Sequence, residues 1–166
     1  TRIGFIAPLK RMGAEIDLIN VRAEAGDTVG DIIVRGRGLK ATRIAGDEIP
    51  WLIDELPVLI AAAALAEGRT EIRDARELRV KESDRIAAMA NGIRALGGEV
   101  SELEDGLIID GPLRLRDGAI ETLDDHRIAM SFYVLGRAAG INVAIDQPDC
   151  VAISYPNFFS DMEGLK

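Results

Sequence analysis

The chain is 166 residues long, 48% hydrophobic, and carries a formal net charge of −8. That is enough apolar material for a real core, in one domain or part of a larger one, and the acid excess argues against broad nucleic-acid binding, which needs a basic face. Cys150 and His126 are the one cysteine and one histidine, so an internal disulfide is excluded, a structural zinc site is disfavoured, and a reducing cytoplasm suits the composition. The longest apolar run, residues 56–66, is too short to span a membrane, and residues 1–15 lack the apolar run of a signal peptide. The sequence opens on Thr1 inside a helical pattern, which reads as a fragment of a longer protein.

In chain order, residues 1–12 read as a helix with Ile3, Ile6, Leu9 and Met12 on one face and Gly13 as its stop. Residues 15–21 alternate as a half-buried strand through Ile16 and Leu18. A turn at 26–30, a strand at 31–35, a turn at 36–38 and a strand at 39–44 follow. Residues 46–50 read as a loop leading to Asp54. The run 56–66 is a helix starting near Leu56, because Pro57 is tolerated in a first turn and not later. Its composition predicts burial on all sides. A strand at 70–74 comes next.

The heptapeptide Arg79-Val80-Lys81-Glu82-Ser83-Asp84-Arg85 carries five charged residues of both signs. Ser83 or Asp84 can cap a helix over 83–96, ended by Gly97-Gly98. Arg85 then lies in the first turn, where a cation opposes the helix dipole unless an anion sits at the same end. The alternative is a solvated charged loop. Strands at 99–103 and 107–110 flank Asp105-Gly106, a hairpin turn signal. A strand at 119–123, a helix from Asp124 to a stop at Gly140, a strand at 142–146 and a helix at 156–163 complete the chain. The pattern repeats at roughly 80 residues: Lys10-Arg11-Met12-Gly13-Ala14-Glu15 resembles Ile93-Arg94-Ala95-Leu96-Gly97-Gly98-Glu99, and residues 65–72 resemble 137–145. The reading is duplicated α/β units, about 1–82 and 83–166, with Asp54 placed opposite His126.

Four clusters can carry chemistry: Asp54-Glu55, Lys81-Glu82, Arg85, and Asp125-His126-Arg127. Each precedes or opens a helix. Brought together they would combine helix N-termini, three cations, the carboxylates Asp54 and Glu82, and an imidazole, which suits a small polyanion such as a phosphorylated carboxylate. Read blandly, Asp54 is an N-cap, Lys81 and Glu82 form a surface pair, His126 bonds a carbonyl, and Cys150 is inert core. There is no glycine-rich phosphate loop, nucleophile elbow or dinucleotide fingerprint.

Leu78-Arg79-Val80-Lys81-Glu82-Ser83-Asp84-Arg85 and Asp124-Asp125-His126-Arg127-Ile128-Ala129-Met130 resemble the two signatures of the EPSP synthase (3-phosphoshikimate 1-carboxyvinyltransferase) family. Ile53-Asp54-Glu55-Leu56-Pro57 and Ser154-Tyr155-Pro156 match in the same order. The resemblance implies an α/β (α+β) fold of repeated βαβαββ units in two domains, with the site in the cleft between them. This chain would be the last two units of the C-terminal domain, with the N-terminal domain absent, and inactive alone. The implied reaction moves the enolpyruvyl group of phosphoenolpyruvate to the 5-hydroxyl of shikimate 3-phosphate, without metal or cofactor. By the same resemblance, Asp54 binds the shikimate hydroxyls and serves as base, and Lys81 lies between the substrates. Glu82 donates a proton to the methylene, Arg85 and Arg127 hold phosphoenolpyruvate, and His126 supports that site. Many family members carry a lysine near the phosphate where Ala152 and Ile153 stand here. The alternatives are a relative acting on UDP-N-acetylglucosamine and a non-catalytic α/β module. No membrane or nucleic-acid partner is expected.

Overall fold

The computed structural model describes residues 3–36 and 38–164. The elements in order are α1 (Ile6–Arg11), β1 (Glu15–Glu24), β2 (Asp27–Arg35), β3 (Arg43–Ile44), α2 (Ile49–Leu52), α3 (Leu56–Leu65) and β4 (Gly68–Ile72). They continue with α4 (Arg85–Ala95), β5 (Ser101–Leu103), β6 (Gly106–Gly111), β7 (Gly118–Ile120), α5 (His126–Ala139), β8 (Val143–Ile145) and α6 (Phe158–Gly164). Short 3₁₀ turns join Gly46–Glu48, Ile53–Glu55, Arg76–Val80 and Pro148–Ile153. The fold is α/β.

Strands β3, β4, β6 and β5 form one sheet in that order. β3 runs parallel to β4, β4 antiparallel to β6, and β6 antiparallel to β5. The β4–β6 ladder, from Gly68 opposite Gly111 to Ile72 opposite Leu107, stitches the two halves of the chain together. β1 and β2 form a separate antiparallel ribbon, and β7 and β8 a parallel pair. One continuous core lies between the sheet and helices α3, α4 and α5, built on Ile44, Leu59, Ile60, Ile72, Met89, Ile109, Ile128 and Phe132. A smaller cluster of Ala129, Cys150, Val151 and Phe158 seats α6 against α5. Cys150 is buried, and burial raises its thiol pKa, helped by Asp124, Asp125 and Asp146 nearby.

Several expected boundaries move. The first helix is the shorter Ile6–Arg11, with Ile3 exposed; Thr1 and Arg2 lie outside the described residues. The expected turn at 26–30 is tighter, because Ala25 and Gly26 both take positive φ and let β2 begin at Asp27. Positive φ at both central residues suits the twist of a two-stranded ribbon. Of the turn at 36–38, Arg37 lies outside the described residues. The loop at 46–50 is instead a 3₁₀ turn running into α2, whose Ile49 and Leu52 are buried. Helix α3 is not buried all round. Leu56, Leu59, Ile60, Ala63 and Ala64 are buried, while Val58 is exposed and Ala62 and Leu65 are half-buried. The spacing 58, 62, 65 is one helical stripe, and it lines an apolar cavity of about 270 Å³ with Phe5, Leu9, Val134 and Ala138.

Candidate functional site

Three helix starts meet at one place. Asp84 caps α4 by accepting from the Ala87 N–H at 3.0 Å, and Asp125 caps α5 by accepting from the Arg127 N–H at 2.9 Å. Asp54 lies in the 3₁₀ turn that feeds α3. A capping carboxylate satisfies orphan N–H groups and favours the positive end of the dipole.

Arg85 is fully buried, which rules out the solvated-loop reading of the heptapeptide. Its Nε donates to Asp125 Oδ2 at 2.8 Å and its Nη2 to Asp125 Oδ1 at 3.4 Å. Nη2 also donates to Glu82 at 2.6 Å, and Nη1 to Asp54 Oδ1 at 3.4 Å. The anion that a first-turn cation requires is thus supplied by carboxylates of the chain itself. Arg127 reaches the same carboxyl from α5: its Nη2 donates to Asp54 Oδ2 and its Nη1 to the Asp54 carbonyl, both at 3.2 Å. Its Nε is buried without a partner among the described residues. The Ser83 hydroxyl donates to Asp125 at 2.9 Å.

Asp54, Glu82, Arg85 and Arg127 are therefore gathered by direct contact. Lys81 is not part of that set: it pairs with Glu77, four residues back, while Glu82 pairs with Arg85, in place of the Lys81–Glu82 pair of the bland reading. His126 opens α5 beside Arg127 and is buried. A cavity of about 200 Å³ borders the cluster, lined by Asp54, Glu55, Arg127, Met130, Ser131 and Phe158 among others. Among the described residues no group of three or more His, Cys, Asp or Glu side chains could hold a metal ion.

Two residues lie in motifs that the sequence singled out, but their individual roles were not assigned from it. Asp125 is fully buried. Burial pushes its carboxyl pKa up, but the Arg85 guanidinium, the Ser83 hydroxyl and the Arg127 N–H outweigh that and hold it below the usual carboxylate range. The contact with Arg85 spans 40 residues. Arg79 is the other. It donates to Asp84, to Glu102, and to the Glu104 and Leu103 carbonyls at 2.6 to 3.2 Å, tying the β5–β6 turn to the start of α4. Hydrogen bonding to Asp84 raises its guanidinium pKa.

The model of the EPSP synthase (3-phosphoshikimate 1-carboxyvinyltransferase) family matches residues 1–162. This chain belongs to the EPSP synthase family. It is 48% identical over 163 residues to the 3-phosphoshikimate 1-carboxyvinyltransferase of Geobacter metallireducens, covering 98% of this chain and 38% of that protein. The Pelobacter propionicus protein of the same name is 50% identical over all 166 residues and likewise 38% covered. An EPSP synthase structure from Acinetobacter baumannii superposes with a TM-score of 0.92 at 40% identity, over 98% of this chain and 38% of the other. The enolpyruvyl transferase NikO from Streptomyces tendae shares the fold, with a TM-score of 0.70 at 22% identity over 98% of this chain and 34% of its own. The EPSP synthase relatives are thus matched over little more than a third of their length. Among the described residues no helix is long and apolar enough to cross a membrane.

Proposed function

We propose that this chain forms one wall of the active site of a 3-phosphoshikimate 1-carboxyvinyltransferase, which transfers the enolpyruvyl group of phosphoenolpyruvate to the 5-hydroxyl of shikimate 3-phosphate in the cytoplasm. The observation that carries the reading is the convergence of Arg85 and Arg127, from two helix starts, on one carboxylate position. Two guanidiniums that share a carboxylate of the chain form a site of the kind a carboxylate or phosphate substrate needs.

In this reading Arg85 and Arg127 hold phosphoenolpyruvate, with His126 supporting the start of α5. Asp54 binds the acceptor hydroxyls and takes the proton of the attacking one, and Lys81 lies between the substrates. The acceptor oxygen bonds to the central carbon of phosphoenolpyruvate while Glu82 delivers a proton to the methylene. The tetrahedral intermediate then expels phosphate as its methyl carbon gives a proton back to Glu82, restoring the double bond. Glu82 is 56% exposed at the mouth of the cluster, where a substrate can reach it.

We further propose that the chain comprises two similar units, about 1–82 and 83–166, of the C-terminal domain, and that the N-terminal domain supplies the second wall. The order α-β-β-β-α-β occurs twice, as α1 to α3 and β4, then α4 to α5 and β8, with the short α2 inserted in the first. Helices α1 and α4 end alike. Gly13 N–H bonds Lys10 and Ala14 N–H bonds Leu9; Gly97 N–H bonds Arg94 and Gly98 N–H bonds Ile93. Both Gly13 and Gly97 take positive φ. Asp74 bonds the Gly46 N–H and Asp146 the Thr122 N–H, each at 2.9 Å, after corresponding parallel strands. Phosphate release by the full-length protein tests the function. Turnover with shikimate 3-phosphate as acceptor is expected; turnover with UDP-N-acetylglucosamine instead, or with neither, overturns it.

A further inference from the structure

Glu82 stands on a segment that belongs to no helix or strand. Residues 81–84 join the 3₁₀ turn Arg76–Val80 to α4 through a succession of bends. A side chain on such a segment is placed by whatever fastens the segment to the scaffold. On one side the Ser83 hydroxyl and Arg85 fasten it to buried Asp125, at 2.9 and 2.8 Å. On the other side the fastening is Arg79. Its guanidinium uses every N–H it has. Nε donates to the Glu104 carbonyl at 2.8 Å, and Nη1 to Asp84 Oδ2 at 2.8 Å and to Glu102 Oε1 at 3.2 Å. Nη2 donates to the same Glu102 oxygen at 3.2 Å and to the Leu103 carbonyl at 2.6 Å.

Asp84 faces two ways: Oδ2 accepts from Arg79, while Oδ1 accepts from the Ala87 N–H and caps α4. The Arg79–Asp84 bond therefore closes a loop over Lys81, Glu82 and Ser83 and ties it to the β5–β6 hairpin. Glu102 also accepts from Arg94, in the last turn of α4, at 3.3 Å. The hairpin is thus tied to both ends of that helix. Isolated surface ion pairs fix little, but a network that saturates an arginine only 24% exposed does fix geometry.

We infer that Arg79 is the positioning residue for Glu82: through Asp84 and the β5–β6 hairpin it sets where the Glu82 carboxyl stands, without touching substrate itself. This rests on the proposed function, in which Glu82 delivers the proton to the methylene. Proton transfer needs hydrogen-bond reach, so a shift of about an ångström in the loop is felt in kcat. Arg85 keeps its own hold on Asp125, so substrate affinity changes little.

The test is steady-state kinetics of the full-length protein with phosphoenolpyruvate and shikimate 3-phosphate. Arg79→Lys keeps the charge, but one ammonium cannot meet all the acceptors that the planar fork meets. Its kcat is expected to fall about 10- to 100-fold, with either KM changed less than about threefold. Asp84→Asn is more selective. Asparagine caps a helix as well as aspartate does, so the Ala87 contact is kept while an amide N–H group meets Arg79 donor to donor. Its kcat is expected to fall in the same way, and it is the variant read if Arg79→Lys does not fold. A purely structural role is separated by the double variant: in the Glu82→Gln background, either substitution should lower kcat less than about twofold further. Unchanged kcat in both Arg79→Lys and Asp84→Asn overturns the inference, as does an equal loss with and without the Glu82 carboxyl. Those outcomes leave the functional reading standing, whereas no turnover of shikimate 3-phosphate by the wild-type protein removes both.

Discussion

Glu82 meets Arg85 at 2.6 Å while standing half out of the protein. A group placed so can leave its partner and approach a substrate without unfolding anything. Glu82→Gln keeps the shape and removes the transferable proton, so in the full-length protein kcat should fall about 10²- to 10⁴-fold while KM changes little. A steep rise in KM at unchanged kcat would make Glu82 a positioning group. Asp125 governs a different observable. Its folded-state pKa is depressed below the unfolded value of about 3.9. Its stabilising contribution is therefore present above that value and disappears as pH falls through the lower folded pKa. Asp105, bonded by the Asp74 N–H and Arg73, and Asp146, bonded by Thr122, are depressed in the same direction. Melting temperature should thus drop below about pH 4, and Asp125→Asn should show a shallower acid slope from a lower starting stability. Identical slopes would mean Asp125 does not couple protonation to folding. The sequence made Asp54, Glu82, Arg85, His126 and Arg127 visible because charged residues opening apolar helices are conspicuous. It could not show that Lys81 turns to Glu77, nor that Asp125 faces Arg85. Those outcomes are set by tertiary geometry between residues distant in the chain.

Helices α4 and α5 approach closely at one point, where a Cβ added to Gly92 would lie 2.2 Å from the Phe132 ring. Phe132 is fully buried and has no room to swing aside. Gly92→Ala should destabilise the fold by about 1–3 kcal/mol despite its better helix propensity, as overpacking does. Denaturant unfolding reads this directly, and a gain in stability would contradict the close approach. In α3 the stripe argument gives a graded pair. Ala63→Glu places a charge in the core and should abolish cooperative folding, whereas Ala62→Glu, on the half-buried stripe, should cost less. Equal melting temperatures in the two variants would mean the stripe is misassigned. Helices α3 and α5 and the β5–β6 hairpin were legible because apolar runs, Pro57, Gly140 and Asp105-Gly106 are local signals. Gly140 indeed closes α5 in the left-handed conformation. The 3₁₀ turn and α2 at 46–52 were not legible. Glu48 there is tied to Arg11 at 2.8 Å, 37 residues away, and no local pattern encodes that bond.

One sheet is shared by the two halves of the chain, and the starts of α3, α4 and α5 are brought together by Asp54, Arg85, Asp125 and Arg127. The β1–β2 ribbon carries Leu18, Ile19, Val21, Ile32, Ile33 and Val34 exposed, on both of its faces. The sequence repeat near 80 residues agrees with the proposed division into two similar units. It could not foretell that β4 would pair with β6 across the repeat, because pairing partners are a tertiary choice. We propose that this chain is one wall of a cleft, holding phosphoenolpyruvate through Arg85 and Arg127, and that the other wall excludes water and completes the electrostatic environment of the reacting centre. The most direct test is phosphate release from phosphoenolpyruvate plus shikimate 3-phosphate, measured side by side on the full-length protein and on the purified 166-residue chain. Turnover by the full-length protein, and none above background by a chain that melts cooperatively, is the predicted result. Comparable turnover by the 166-residue chain would show that the site is complete within it and contradict the account.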